Sequence, residues 1–183
     1  MGRPIAALAI LALLAATPAG AEIQLFQGDP VMKATVANDP GQLRILLHRG
    51  TTADTPNSAG RTPLSQAAGA GNVELVKLLL TARVNVNSQD RVGNTPLFWA
   101  ADGGDVDIID ALLAAGARVN QENKQGITPL VAAARKGHAA AVQRLIEAGA
   151  DVRRADFSGR TPLEWAQEGR NARVVSLIQR AGR

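Results

Sequence analysis

The chain has 183 residues, 46% of them hydrophobic, 20% charged and only 3% aromatic, with a formal net charge of +4 and no cysteine. Apolar content at this level can build a core and excludes a disordered chain, and the absence of cysteine excludes disulfides, thiolate metal sites and a cysteine nucleophile. The mild basic excess, with few aromatics and no nucleic-acid motif, points to acidic partners or anionic envelope surfaces rather than DNA or RNA.

The first residues form a unit of their own. Arg3 supplies a positive start, Ile5 to Ala16 is an unbroken apolar run, and Ala19-Gly20-Ala21 is a small-residue cleavage site. This is the pattern of a signal peptide, and the run is well short of the roughly 20 residues that span a bilayer. A signal peptide over 1–21 is therefore expected, cleaved after Ala21. The mature chain would begin at Glu22, lie in the periplasm or be secreted, and carry no membrane anchor. A single early Arg and no Cys near the cleavage point give no sign of a twin-arginine or lipoprotein signal. Removal of Arg3 lowers the net charge by one.

After a short segment at 22–26 the chain becomes periodic. Gly60, Gly93, Gly126 and Gly159 each open a Gly-x-Thr-Pro-Leu, at a constant spacing of 33 residues. Asp29-Pro30-Val31 and Leu46-Leu47 fall in the same register, so the repeats are 27–59, 60–92, 93–125, 126–158 and a truncated 159–183. A fixed period of this length means stacked supersecondary units, none of which buries its apolar face alone.

Each unit reads as two short helices and a turn tip. The Thr of Thr-Pro-Leu is an N-cap acceptor, and Pro at the first helical position forfeits no hydrogen bond, so helix one starts there. Ala67-Ala68, Ala100-Ala101 and Ala133-Ala134 allow close approach of neighbouring units. Gly71, Gly104 and Gly137 can adopt the left-handed conformation that ends helix one. Val73-Leu75-Val76-Leu79-Leu80, Val106-Ile108-Ile109-Leu112-Leu113 and Ala139-Val142-Leu145-Ile146 form the buried stripe of helix two. Gly116 and Gly149 stop that helix, whereas Arg83 stands at the corresponding place in the second repeat, where a looser end is expected. Gln167, Arg170 and Gln179 at one end, and Lys33 and Thr35 at the other, read as polar caps on the array.

The frame Gly-x-Thr-Pro-Leu-x-x-Ala-Ala, with Leu-Leu-x-x-Gly-Ala, Val-Asn and an Asp or Asn ahead of the next Gly, resembles the ankyrin repeat over essentially all of 27–183. The resemblance implies an all-α solenoid of helix-turn-helix units with protruding β-turn tips. The family's histidine after Thr-Pro-Leu is replaced by Ser65, Phe98, Val131 and Glu164, so its hydrogen-bonded link between tips is not expected in the same form.

Catalytic and metal chemistry find little support. His48 and His138 stand about 90 residues apart, in the first and fourth repeats. They do not meet in a linear stack, and no nucleophile has a base and an orienter, so the protein is not expected to be an enzyme. Asp102, Asp105, Asp107 and Asp110 lack the twelve-residue frame and terminal Glu of a calcium loop. Asp105 and Asp107 are better explained at the start of helix two, where carboxylates favour free N–H groups. Glu164 completes a capping box with Thr161. No cofactor or metal is expected.

What the resemblance does imply is a protein-binding groove made by the tips and the exposed side of helix one. The residues that vary there while the frame does not are the candidate contacts: Arg91, Asn94, Trp99, Asp102, Lys124, Ile127, Arg135, Lys136, Phe157, Arg160 and Trp165. Trp and Arg are common interface anchors. Ile127 and Phe157 are apolar residues on tips, where solvent is the default. The alternative for the two tryptophans is that each packs across the groove on the next repeat. The expected partner is a protein, the expected state a monomer, and the expected role scaffolding or protection of an envelope protein. Two other readings stay open, an immunity protein that neutralises a toxin and a binder of cations or anionic ligands.

Overall fold

A computed structural model describes residues 28–183; the expected signal peptide and residues 22–27 lie outside the described residues. The described chain is an all-α repeat solenoid of ten helices without a strand: α1 (Pro30–Val36), α2 (Pro40–His48), α3 (Pro63–Gly69), α4 (Val73–Thr81), α5 (Pro96–Gly103), α6 (Val106–Ala114), α7 (Pro129–Lys136), α8 (Ala139–Glu147), α9 (Pro162–Glu168) and α10 (Ala172–Ala181). Odd-numbered helices are the first of each pair, even-numbered the second. Each first helix opens with Pro and is capped by the residue before it. Thr62, Thr95, Thr128 and Thr161 accept from the backbone N–H three residues on, and Asp29 does so for α1. At Thr161 the Glu164 carboxylate in turn accepts from the Thr161 N–H and completes the box.

Ala67, Ala68, Ala100, Ala101, Ala133 and Ala134 are wholly buried, so the first helices of neighbouring units pack through small side chains. First helices and tips lie on one side of the stack, the inner side, and second helices form the outer side. One continuous core runs between the layers through Leu43, Leu75, Leu79, Ile108, Ile109, Leu112, Val142, Leu145, Val174 and Ile178. Cutting any of its fully buried leucines to Ala costs about 2–5 kcal/mol.

The left-handed ends of the first helices hold in every unit, including the two that lack Gly. Gly71, Gly104 and Gly137 have φ of 71°, 80° and 80°, and Asn38 and Arg170, in the same register, have 56° and 52°. At Arg83 the expected looser end is visible: Ala82 after α4 is extended, whereas α6 and α8 run into Gly116 and Gly149 at φ 89° and 88°.

Two expectations need correction. Thr35 is buried, with its hydroxyl donating to the Val31 carbonyl at 2.8 Å, and is no solvent-facing cap. Asp105 is the N-cap residue of α6 but makes no side-chain capping bond; its carboxylate lies instead beside the Cα atoms of Gly71 and Gly103.

Candidate functional site

The tips are built by one residue per unit. Asn57, Asp90, Asn123 and Asp156, spaced by 33, each use Oδ1 to accept two backbone N–H groups of their own tip. Asp90 accepts from Val92 and Asn94 at 3.0 and 2.9 Å, and Asn123 accepts from Gln125 and Ile127 at 2.8 and 3.0 Å. Asn57 and Asp156 do the same for Ala59 and Arg61 and for Ser158 and Arg160. Successive tips are then linked through the backbone: Arg91 N–H donates to Ala59 O, Lys124 N–H to Val92 O and Phe157 N–H to Gln125 O, at 3.0–3.1 Å. This rail forms with Ser65, Phe98, Val131 and Glu164, and no histidine, after Thr-Pro-Leu. It also requires Gly93, where a Cβ would sit 2.8 Å from the Lys124 nitrogen.

The second side-chain atom of the tip residue decides what stands behind it. Asp90 Oδ2 accepts from the Trp99 indole N–H at 3.1 Å, and Asp156 Oδ2 accepts from that of Trp165 at 2.9 Å. Each indole is covered by an arginine, Arg61 lying 3.5 Å from the centroid of Trp99 and Arg160 3.5 Å from that of Trp165. At Asn123 the second atom is a donor, and it bonds Asn94 Oδ1 at 2.9 Å in the preceding tip. No indole follows there; the position holds Ala132. Burial pushes the Asp156 carboxyl up, but the hydrogen bonds from Ser158 and Trp165, with the backbone N–H groups of Arg160 and Ser158, outweigh it and hold it below the usual aspartate value.

Both tryptophans are half-buried against their own tip and under arginine, so they neither stand free nor simply lean on the next repeat. Trp99 also meets the edge of Phe98, with centroids 5.7 Å apart and planes at 80°. Phe98, Ile127, Val131 and Ala132 form a small buried cluster on the inner side, with Trp99 and Trp165 packed against it.

A cavity of about 410 Å³ opens over this cluster. Six of the sequence-predicted residues line it, namely Asn94, Trp99, Asp102, Lys124, Ile127 and Arg135, together with Val92, Phe98, Asn123 and Gln125. Asp102 is held between Arg135 at 3.2 Å and Lys136 at 3.9 Å. Arg91 is exposed on the neighbouring tip; Phe157 is exposed on the following one. Trp165 and Arg160 lie one unit along, where Arg160 also pairs with Glu168 at 3.1 Å.

Two of the predicted contacts play a different part. Ile127 is only 6% exposed, because its tip folds it between Phe98 and Val131; it is floor and not a protruding apolar tip. Asn94 is also 6% exposed and its side chain is committed to Asn123, so it braces two tips and has little freedom to meet a partner. Conversely, Val92, a variable tip position outside the eleven candidate contacts, is 54% exposed on the rim, and Asp90 and Asp156 read only as part of the repeat frame. The available signal was their position nine residues before each Trp, where the other two units have Asn nine residues before Gln66 and Ala132.

Among the described residues no three His, Cys, Asp or Glu side chains converge as metal ligands, and no helix is long and apolar enough to cross a membrane. The acidic run is dispersed: Asp102 pairs with Arg135 and Lys136, and Asp110 with Arg144 on the outer layer.

No curated protein matches the sequence. A family model described as "Ankyrin repeats (3 copies)" matches residues 31–123 and 104–182, which together cover most of the chain. Ankyrin repeats generally mediate protein–protein interaction and are typically non-catalytic. The 33-residue frame, the capped first helices and the tip rail are thus those of a repeat family with a known architecture, and the chain belongs to the ankyrin-repeat family.

Proposed function

We propose that this chain is an exported, non-catalytic binding protein that scaffolds or protects an envelope protein through its concave face. The observation that carries the reading is the gathering of frame-independent residues around one cavity on the inner side, flanked by the exposed apolar tips Val92 and Phe157. Val92 and Phe157 are solvent-exposed on the tips either side of the 123–127 tip, and an interface core uses such side chains. The leader-like residues 1–21 support export to the periplasm or beyond.

The test is affinity capture from envelope extract with the purified protein beside an Arg91→Ala/Lys124→Ala/Phe157→Ala variant. All three positions are exposed, so the variant keeps its fold, which a melting curve checks. The reading expects a specific protein retained by the parent and lost by the variant. Equal retention by both would place binding elsewhere and defeat it.

A further inference from the structure

The cavity has a specific origin. Trp99 is surrounded by Arg61, Gly69 and Asp90. Moving those neighbours forward by one 33-residue unit gives Asn94, Asp102 and Asn123, and all three line the cavity. By the repeat register the empty space lies where an indole carried by residue 132 would have those neighbours, as Trp99 has its own. Ala132 is wholly buried in the cluster with Phe98 and Ile127, and those two residues with Trp99 give the cavity its apolar surround.

Its charge is one-sided. Asp102 is the only carboxylate among the lining residues, and it is shared between Arg135 and Lys136. Lys124 on the wall and Arg91 on the next tip form no ion pair among the described residues, and both are exposed. The geometry points to an occupant: we propose that the cavity receives an aromatic side chain from the protein partner, flanked in the partner's sequence by carboxylates that meet Lys124, Arg91 and Arg135. This rests on the proposed function and names the chemistry of the segment that would be bound.

Other polyanions fit the same surface less well. A phosphate cradle needs free backbone N–H groups. Here the amides of Val92, Lys124 and Gln125 are already bonded to Asp90, Val92 O and Asn123. Bases of single-stranded nucleic acid need open aromatic faces, but Arg61 and Arg160 cover those of Trp99 and Trp165. A ring that enters between apolar walls beside Arg135, with carboxylates at the mouth, uses what the cavity does offer.

The chain's two tryptophans both stand on this face, so their fluorescence reports occupancy. The probe is a short acetylated peptide with Phe between Asp and Glu residues, titrated into the purified protein. Controls are its Asn/Gln analogue, its Ala-for-Phe analogue, and a single-stranded oligonucleotide. We expect saturable binding of the first peptide that weakens about tenfold or more in each peptide analogue and in Arg91→Glu/Lys124→Glu, and weakens with salt. Ala132→Trp should fill the space from within and abolish binding while the protein still melts cooperatively. A second variant, Asn123→Asp/Ala132→Trp, supplies the indole acceptor found at 90 and 156 in case the single change fails to fold. Undiminished binding by either folded Trp variant, equal binding of the neutral peptide or the oligonucleotide, or no binding of the acidic aromatic peptide would overturn the inference. The two proposals fail separately. Capture that depends on Arg91, Lys124 and Phe157 but survives filling of the cavity leaves the proposed function standing and removes only this one.

Discussion

The tips at 90–94 and 156–160 and the tip between them at 123–127 share a backbone but differ in one side-chain atom. Where the tip residue is Asp, its spare oxygen holds an indole N–H. Where it is Asn, its amide nitrogen reaches back to Asn94, and the residue nine positions on is Ala132. Identical repeat geometry thus yields two filled positions and one open one. In this solenoid the frame sets the fold, and in these three tips a carboxylate goes with a Trp nine residues on while the amide goes with Ala132 and the open position.

The strongest way to break the contrast is Asp156→Ala. It removes the acceptor of two tip N–H groups, the Ser158 hydroxyl and the Trp165 indole at once. A loss of about 2 kcal/mol in unfolding free energy is expected by denaturant titration, with the tip near solvent keeping the cost at the lower part of the range for orphaned donors. Asp156→Asn is gentler. It preserves Oδ1 for the backbone but sets an amide donor against the indole N–H, at a cost of about 1 kcal/mol. In a Trp165→Phe background that cost should largely vanish, and a double-mutant cycle with no coupling would show that the Asp–Trp bond is not what distinguishes this tip.

Acid sharpens the same comparison. The carboxyl of Asp156 is held below its ordinary value, and that of Glu164 is lowered as well, chiefly by the backbone N–H of Thr161 and then by its hydroxyl. Groups whose folded pKa is depressed add stability that is present above their unfolded pKa of about 4 and lost as pH falls through the folded one. Melting temperature should therefore be insensitive to these two groups above about pH 5 and decline below about pH 4. Asp156→Asn should flatten part of that decline, whereas Asn123→Asp should not, since it adds a carboxylate whose Oδ1 keeps the Gln125 and Ile127 N–H groups while its second oxygen faces Asn94 Oδ1. The smallest effect is expected at Arg61→Ala. It uncovers Trp99 and removes a cation–π contact worth about 0.5–1 kcal/mol, which a shift in melting temperature and a change in tryptophan emission would register.

Much of the fold was legible because each signal is local and repeats. Thr-Pro marks a helix start through its own cap, and the Gly before helix two marks a left-handed residue; even Asn38 and Arg170 obey the register. The groove's location was legible for the same reason, since variation against a constant frame needs no coordinates. The side-chain roles were harder. Ile127 is buried by Phe98 of the preceding unit and Val131 of its own, and Asn94 is fixed by a residue 29 positions away, so neither fate is written in the tip's own sequence. Asp105 failed as a cap because its carboxylate is drawn to the space beside Gly71 and Gly103. The Asp–Trp pairing was readable from the nine-residue spacing, but only once the two atoms of the tip residue are counted separately.

Hydroxyl-radical footprinting of the purified protein, with and without its captured partner, tests most directly whether the inner face is the binding surface. Phe157 is 73% exposed on an inner tip, and Ile45 is 47% exposed on the second helix of the first unit, on the outer layer. Binding through the concave face predicts that oxidation of Phe157 and the two tryptophans falls while that of Ile45 is unchanged. Protection of Ile45 with Phe157 left as reactive as before would contradict it.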